Sequence, residues 1–292
     1  MTESALERVA RLSCWSGRVE PEILKGGITN ANFLVRDRGE RFVVRLAEDI
    51  PVHGIMRFNE LAASRAAHAA GLSPEVVYSE PGAIVLRYID GRTLTPGDVR
   101  MPATIERIVG LIKRVHTEIP RHLRGPALIF WVFHVIRDYA ASLRELGSPH
   151  VGRLPALLDH AERLEREVGA IELVYGHNDL LASNLIDDGN RLWLIDWDYA
   201  GFNSPLFDLG GLASNNELSP EQEACVLERY FGRRDDDLAH RFAAMKCASL
   251  LREALWSMVS ERISKIDFDY AAYTTLNLER FSSSYGALQG RA

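Results

Sequence analysis

Cysteine is scarce in this chain. Three residues among 292, Cys14, Cys225 and Cys247, are odd in number and widely spaced. They offer neither a disulfide framework nor metal-ligand spacing, so a reducing compartment is the default expectation. Excess positive charge is also absent: Lys and Arg number 34 against 40 Asp and Glu, a formal net charge of −6. That balance argues against a broad nucleic-acid surface, because counterion release needs clustered cations; a local basic site for phosphates stays open. No run approaches the ~18 uncharged apolar residues needed to cross a bilayer. The opening residues carry Glu3 and Glu7 and lack the apolar stretch of a secretory leader. The expectation is a cytoplasmic protein with no membrane insertion and no nucleic-acid partner. Repeats, low-complexity tracts, a Walker A motif and a G-x-G-x-x-G loop are all missing. What is present is an ordinary globular composition, 47% hydrophobic and 25% charged, in a chain long enough for one large domain or two lobes.

The character of the chain changes near residue 90. Before it, short β-type runs at 32–36, 41–46 and 83–88 dominate, with Asp37-Arg38-Gly39 as a turn. An Ala-rich helix over 57–70, closed by Gly71, separates them. After Asp90-Gly91 helical periodicity prevails, predicting helices at 103–118, 130–146, 154–168, 220–231, 235–264 and 268–285. One β-rich interruption, at 173–175 and 185–195, breaks that pattern. The reading is an α+β chain with a small β-rich lobe over 1–90 and a larger, mainly helical lobe over 91–292.

The interruption carries the chemistry. His177-x-Asp179, with Asn184 five residues after the Asp, has the spacing of a kinase catalytic loop, and Asp196 ends an apolar strand where a kinase places its magnesium-binding Asp. Asn184-Leu-Ile runs outward, Asp187-Asp188-Gly189-Asn190 turns, and 191–195 runs back. That hairpin brings the oxygens of Asn184 and Asp196 to one end, a set that suits Mg²⁺, which uses few protein ligands. Asp179 would accept the proton of an attacking hydroxyl, while His177 braces the loop. Any one of these residues alone is an ordinary loop polar residue; four at this spacing around a strand–turn–strand are not.

The first lobe supplies partners for phosphates. Gly26, Gly27, Thr29 and Asn30 form a loop that would let backbone N–H groups approach a phosphate, although alone it reads as a hairpin turn. Arg45 sits inside the apolar strand Val43-Val44-Arg45-Leu46, where an unpaired cation is costly, and Glu60 of the next helix is its natural partner. Tyr88 and Ile89 form a hinge with backbone groups for adenine. ATP and Mg²⁺ are the expected cofactors.

These residues resemble the choline/ethanolamine kinases, within the aminoglycoside phosphotransferase-like group of protein-kinase-like folds. The resemblance rests on His177-Asn178-Asp179 to Asn184, Ile195-Asp196-Trp197-Asp198-Tyr199, Phe207-Asp208-Leu209-Gly210, and the tail Leu255-Trp256-Ser257 with Ile263 to Tyr273. It implies transfer of the ATP γ-phosphoryl group to a small amino alcohol. It also implies an aromatic box for the amine, with Asp198, Tyr199, Asn215, Glu253, Trp256, Tyr270 and Tyr273 as acceptor-site candidates, since a quaternary ammonium is held by π-faces and carboxylates. Departures fall on the same box: Glu253 stands where the family commonly has a second Trp, Asn215 where it has an acid, and Leu181 where it has Gln. Another amine-bearing alcohol such as thiamine or an aminoglycoside, or a silent nucleotide-binding module, are the alternatives. Asp208 is expected to brace the catalytic loop. Asp235-Asp236-Asp237 reads as a helix cap rather than a metal site, and the remaining histidines show no ligand spacing.

Overall fold

The computed structural model describes residues 4–24, 30–233, 235–264 and 266–290. The first part of the chain contains α1 (Ala5–Ala10), β1 (Glu22–Leu24), β2 (Ala31–Asp37), β3 (Glu40–Leu46), α2 (Arg57–Ala69), β4 (Val76–Glu80) and β5 (Ala83–Arg87). The rest comprises β6 (Arg92–Thr93), α3 (Pro96–Val99), α4 (Pro102–His122), α5 (Val132–Glu145), α6 (Leu154–Val168), β7 (Val174–Gly176), β8 (Leu185–Asp187), β9 (Leu192–Leu194) and β10 (Gly201–Asn203). Four helices close it: α7 (Pro205–Asn216), α8 (Pro220–Phe231), α9 (Asp236–Ile263) and α10 (Tyr270–Gln289).

The N-terminal strands form one antiparallel sheet in the order β1-β2-β3-β5-β4. β3 is central, so Arg45 lies between Asn32 of β2 and Ile84 of β5. Alternation places Phe33, Val35, Val44 and Val85 on a face covered by Val9 and Leu12 of the α1 region. The helix α2 belongs elsewhere. Its small residues Ala63, Ala66 and Ala67 are buried in the helical core with Ile108 and Ile112 of α4. Asn59 donates to the Ala200 carbonyl at 2.8 Å. A short apolar face lets this helix approach the second lobe closely and join the two.

Helix α9 is the axis of the second lobe. Residues on all its sides are buried, from Leu238 and Phe242 to Met258 and Val259, as expected of a helix surrounded by others. Gly210 of α7 allows a close approach to α9: a Cβ there would meet the Lys246 backbone nitrogen at 3.1 Å. Asp235 caps α9 by accepting from Leu238 N–H at 2.8 Å, in line with the capping role read from the acidic triplet. The hinge packs equally tightly, since a Cβ on Gly91 would sit 2.7 Å from the Ile186 side chain and 2.8 Å from the Asp187 carbonyl. The arrangement meets the two-lobed α+β expectation.

Candidate active site

The lobes enclose a cleft of about 530 Å³. Leu24, Val43 and Leu86 line it from the sheet, and Ile186 and Ile195 from the β8–β9 region, apolar walls that share the cavity with charged residues. Asp179, Asn184, Asp196 and Arg45 all line this one cavity.

The loop that carries Asp179 is over-determined. After β7 the chain turns through Asn178, whose φ of +65° is a left-handed conformation that few non-glycine residues adopt without compensation. The Asn178 side chain supplies it, donating from Nδ2 to Tyr199 O at 2.9 Å and Gly201 O at 3.2 Å, and accepting from Asn203 at 3.1 Å. The Asp208 carboxylate, buried in α7, accepts from the His177 and Asn178 backbone N–H groups at 2.9 and 2.7 Å. Burial would raise this carboxyl, but the hydrogen bond with His116, the charges of the His116 and His177 rings and the His177 N–H together hold it below the ordinary carboxylate range. His116 Nε2 lies 2.9 Å from Asp208 and Nδ1 lies 2.6 Å from Tyr230 OH. The expected brace at Asp208 is therefore present, extended by a histidine that its spacing gave no reason to single out.

His177 does not line the cleft. Its Nε2 meets the Ile195 carbonyl at 2.9 Å and Nδ1 accepts from the Asp179 N–H at 3.3 Å. Those partners require a neutral ring protonated on Nε2, consistent with a pKa lowered by burial. Asn184, in a 3₁₀ turn over Ala182–Asn184, donates from Nδ2 to the Asp179 carbonyl at 3.0 Å and approaches its carboxylate at 3.4 Å. The hairpin folds as expected: Leu185 pairs with Leu194, and Ile195 N–H donates to Asn184 O at 3.0 Å. It delivers Asp196, at φ +67°, to the same end. Burial pushes the Asp179 carboxyl up to about 8; Arg252 pulls it down, while Asp196, Glu253 and Asp198 add to the rise.

Five charges from both lobes interlock beside these residues. Arg45 meets Glu60 at 2.9 Å, Asp196 at 2.6 Å and Asp198 at 3.6 Å. Arg57 meets Glu60 at 2.6 Å and Asp198 at 2.7 Å. Burial works against the Asp196 anion, and the surrounding groups, the Arg45 guanidinium foremost, keep its pKa low. Arg57 carried no sequence signal of a role. Asn30 also reaches this group, donating to Asp198 at 3.2 Å; Gly26, Gly27 and Thr29 lie outside the described residues.

The acceptor candidates divide. Tyr199, Glu253 and Trp256 line the cleft together with Arg252, a residue not anticipated from sequence. Asp198 lines it too, with its carboxylate facing Arg57, Arg45 and Asn30, so that it also ties the lobes together. Tyr270 and Tyr273 are not among the lining residues. Tyr270 packs 6.1 Å from the Trp256 ring and donates to Ser264, while Tyr273 donates to Glu253 at 2.9 Å; they support the wall instead of forming it. Asn215 is absent from the lining, and its neighbour Asn216 holds the loop through Leu180 O at 3.3 Å. At the hinge, Tyr88 N–H is already given to Arg41 O at 3.0 Å, with its ring under the Arg41 guanidinium at 4.4 Å. Tyr88 therefore cannot offer its N–H to a base.

Among the described residues, no cluster of three or more His, Cys, Asp or Glu forms a metal cage. An ion held by one carboxylate and one amide oxygen, completed by phosphate oxygens, fits Asp196 and Asn184; among divalent cations Mg²⁺ has that habit.

Residues 22–223 match the choline/ethanolamine kinase family model. The chain belongs to that family. Protein LicA of Haemophilus influenzae is 27% identical over 282 residues, covering 90% of this chain and 78% of that one. Ethanolamine kinase 2 of Mus musculus is 26% identical, covering 90% of this chain and 76% of its own length. The crystal structure of a choline/ethanolamine kinase family protein from Mesorhizobium loti superposes with a TM-score of 0.76 at 27% identity, covering 96% of this chain and 92% of that one. The fold is accordingly protein-kinase-like, and the chain has the relationships of a kinase. Among the described residues no helix is long and apolar enough to cross a membrane.

Proposed function

We propose that this chain transfers the γ-phosphoryl group of ATP to the hydroxyl of a small amino alcohol of the choline/ethanolamine class. The observation that carries the reading is the convergence of Asp179, Asn184, Asp196 and Arg45 on one cleft, in a chain whose relatives bear the names of ethanolamine kinases. The lobe over 1–90 holds the nucleotide and the lobe over 91–292 holds the acceptor. Val43, Leu86, Ile186 and Ile195 enclose the adenine, with Ile89 of the hinge at its edge. Arg45 lies beside the phosphates, held in place by Glu60.

Asp179 orients the acceptor hydroxyl and takes its proton as the oxygen attacks the γ-phosphorus; the bond to the bridging oxygen breaks and ADP leaves. His177, Asn178 and Asp208 keep that carboxylate in position without touching substrate. Asn184 and Asp196 would hold Mg²⁺, which when bound offsets charge on the phosphate oxygens. Little covalent chemistry is asked of the protein, so positioning and charge placement supply the rate.

The test is acceptor-dependent consumption of ATP. Purified protein turns over ATP faster when ethanolamine or choline is added, and Asp179→Ala abolishes that stimulation while its circular dichroism and nucleotide affinity persist. Equal stimulation in the variant sinks the role given to Asp179.

A further inference from the structure

One charge at the acceptor end has no place in the scheme above. Arg252 lies on α9, immediately before Glu253, and lines the cleft although only 4% exposed. Its Nη1 donates to Glu253 Oε2 at 2.8 Å. The guanidinium carbon sits 4.4 Å from the centre of the Tyr199 ring and 5.6 Å from that of Phe130. Nε and Nη2 make no hydrogen bond of good geometry among the described residues, the buried Tyr139 hydroxyl being a group that acts on the guanidinium. Removing a guanidinium from water with two nitrogens poorly satisfied is expensive. A methionine or leucine would fill the same volume without that cost, so the charge invites a reason beyond packing.

The consequence falls on the aromatic box. A trimethylammonium group has no N–H and depends on open π-faces. Tyr199 is 8% exposed and already carries the Arg252 cation on its ring. Trp256 is 6% exposed, with the His53 ring 5.5 Å away at 33° and the Tyr273 ring edge-on at 6.3 Å. The faces that would hold a quaternary ammonium are thus largely taken from within. Glu253 remains: its side chain is 22% exposed and lines the cleft, and it accepts from Arg252 and Tyr273. A carboxylate has about four acceptor sites, so two are left for a ligand that can donate hydrogen bonds.

We propose that Arg252 is the chain's own occupant of the cation box and thereby sets acceptor selectivity. The cleft takes an alcohol whose amine carries N–H groups, which donate to Glu253, and it discriminates against the fully methylated amine. This rests on the reading that the Asp179 site phosphorylates amino alcohols, and it adds which of them and through which residue.

The experiment is a methylation series. kcat/KM is measured at saturating ATP and Mg²⁺ for ethanolamine, its N-methyl and N,N-dimethyl derivatives, and choline. The wild-type chain, Arg252→Leu and Arg252→Lys are compared. In the wild type, kcat/KM falls at least tenfold from ethanolamine to choline. Arg252→Leu frees the Tyr199 face and raises the choline-to-ethanolamine ratio at least tenfold, whereas Arg252→Lys keeps the wild-type order. Taking the ratio cancels any loss of turnover common to all acceptors, which is what a merely structural role would produce. Equal use of choline and ethanolamine by the wild type overturns the proposal without recourse to a variant, as does an Arg252→Leu enzyme that turns over with an unchanged ratio. Absence of transfer to all four acceptors is a different result, for it overturns the underlying phosphotransferase reading and the selectivity with it.

Discussion

The two ends of the cleft are built in opposite ways. At the end proposed for the nucleotide, charges come from distant positions in both lobes: Arg45 on a strand, Arg57 and Glu60 on α2, and Asp196 and Asp198 after the β8–β9 hairpin. All but Asp196 have more than one partner in the network, which holds the lobes in register beside Asp179 and Asn184. At the acceptor end, the opposing charges Arg252 and Glu253 are adjacent residues of one buried helix, surrounded by rings. The residues proposed for phosphoryl transfer thus sit in loops fixed by long-range hydrogen bonds, while those proposed to meet the acceptor sit on helices whose main task is to fill the core.

The largest effect that separates the two ends is expected at Arg45. Arg45→Met leaves Glu60 and Asp196 without their shared cation, and breaking a buried pair from one side costs about 3–5 kcal/mol. Urea denaturation should show that loss, and KM for ATP should rise while selectivity among acceptors stays constant. An altered choline-to-ethanolamine ratio in this variant would erase the division between the ends. Next comes pH. Burial raises Asp179 to about 8, and transfer needs its carboxylate, so kcat/KM for the acceptor should climb with pH along a limb well above the ordinary carboxylate range. Glu253 adds to that rise; Glu253→Gln should therefore move the limb to lower pH, and a move to higher pH would contradict the electrostatics.

Smaller effects lie further from the cleft. His116→Ala loosens the hold of α4 and α8 on Asp208 and should lower kcat by about tenfold with little change in either KM, a modest share of what general-base catalysis contributes. Comparable loss in KM alone would mean that His116 does not act through the catalytic loop. Asp235→Ala removes the N-cap of α9 and should cost about 1 kcal/mol of stability in a melting experiment without changing kcat.

Much of the frame was legible in sequence because its signals are local. The helices α6 and α8 fall at the expected residues: α8 opens with the Ser219 capping box and Pro220, and Gly169 and Gly232 end the two. The β8–β9 hairpin was readable from Asp188 and Gly189, where Asp188 accepts from Asn190 and Arg191 N–H at 2.8 Å. Helix α7 was not anticipated. Buried on nearly every side and containing Gly210-Gly211, it has no apolar stripe from which to read a period. Strand β4 was also missed, for it is half-buried throughout and its pairing shifts between Val76 and Tyr78. At the site, motif spacing located Asp179, Asn184 and Asp196, because the loop geometry that uses them is local. Partner choice was not local. Asp198 turned to Arg57 across 141 residues, and Arg252 within Leu250-Leu251-Arg252-Glu253 reads like any helix residue until the fold buries it against Tyr199.

The most direct test of the central claim identifies the product. The protein is incubated with ATP, Mg²⁺ and ethanolamine, and the acceptor is examined by mass spectrometry and ³¹P NMR, with Asp179→Ala alongside. The account predicts a phosphomonoester on the acceptor hydroxyl, formed in step with ADP and missing from the variant. ADP released with only inorganic phosphate, or the same ester made at the same rate without the Asp179 carboxylate, would contradict it.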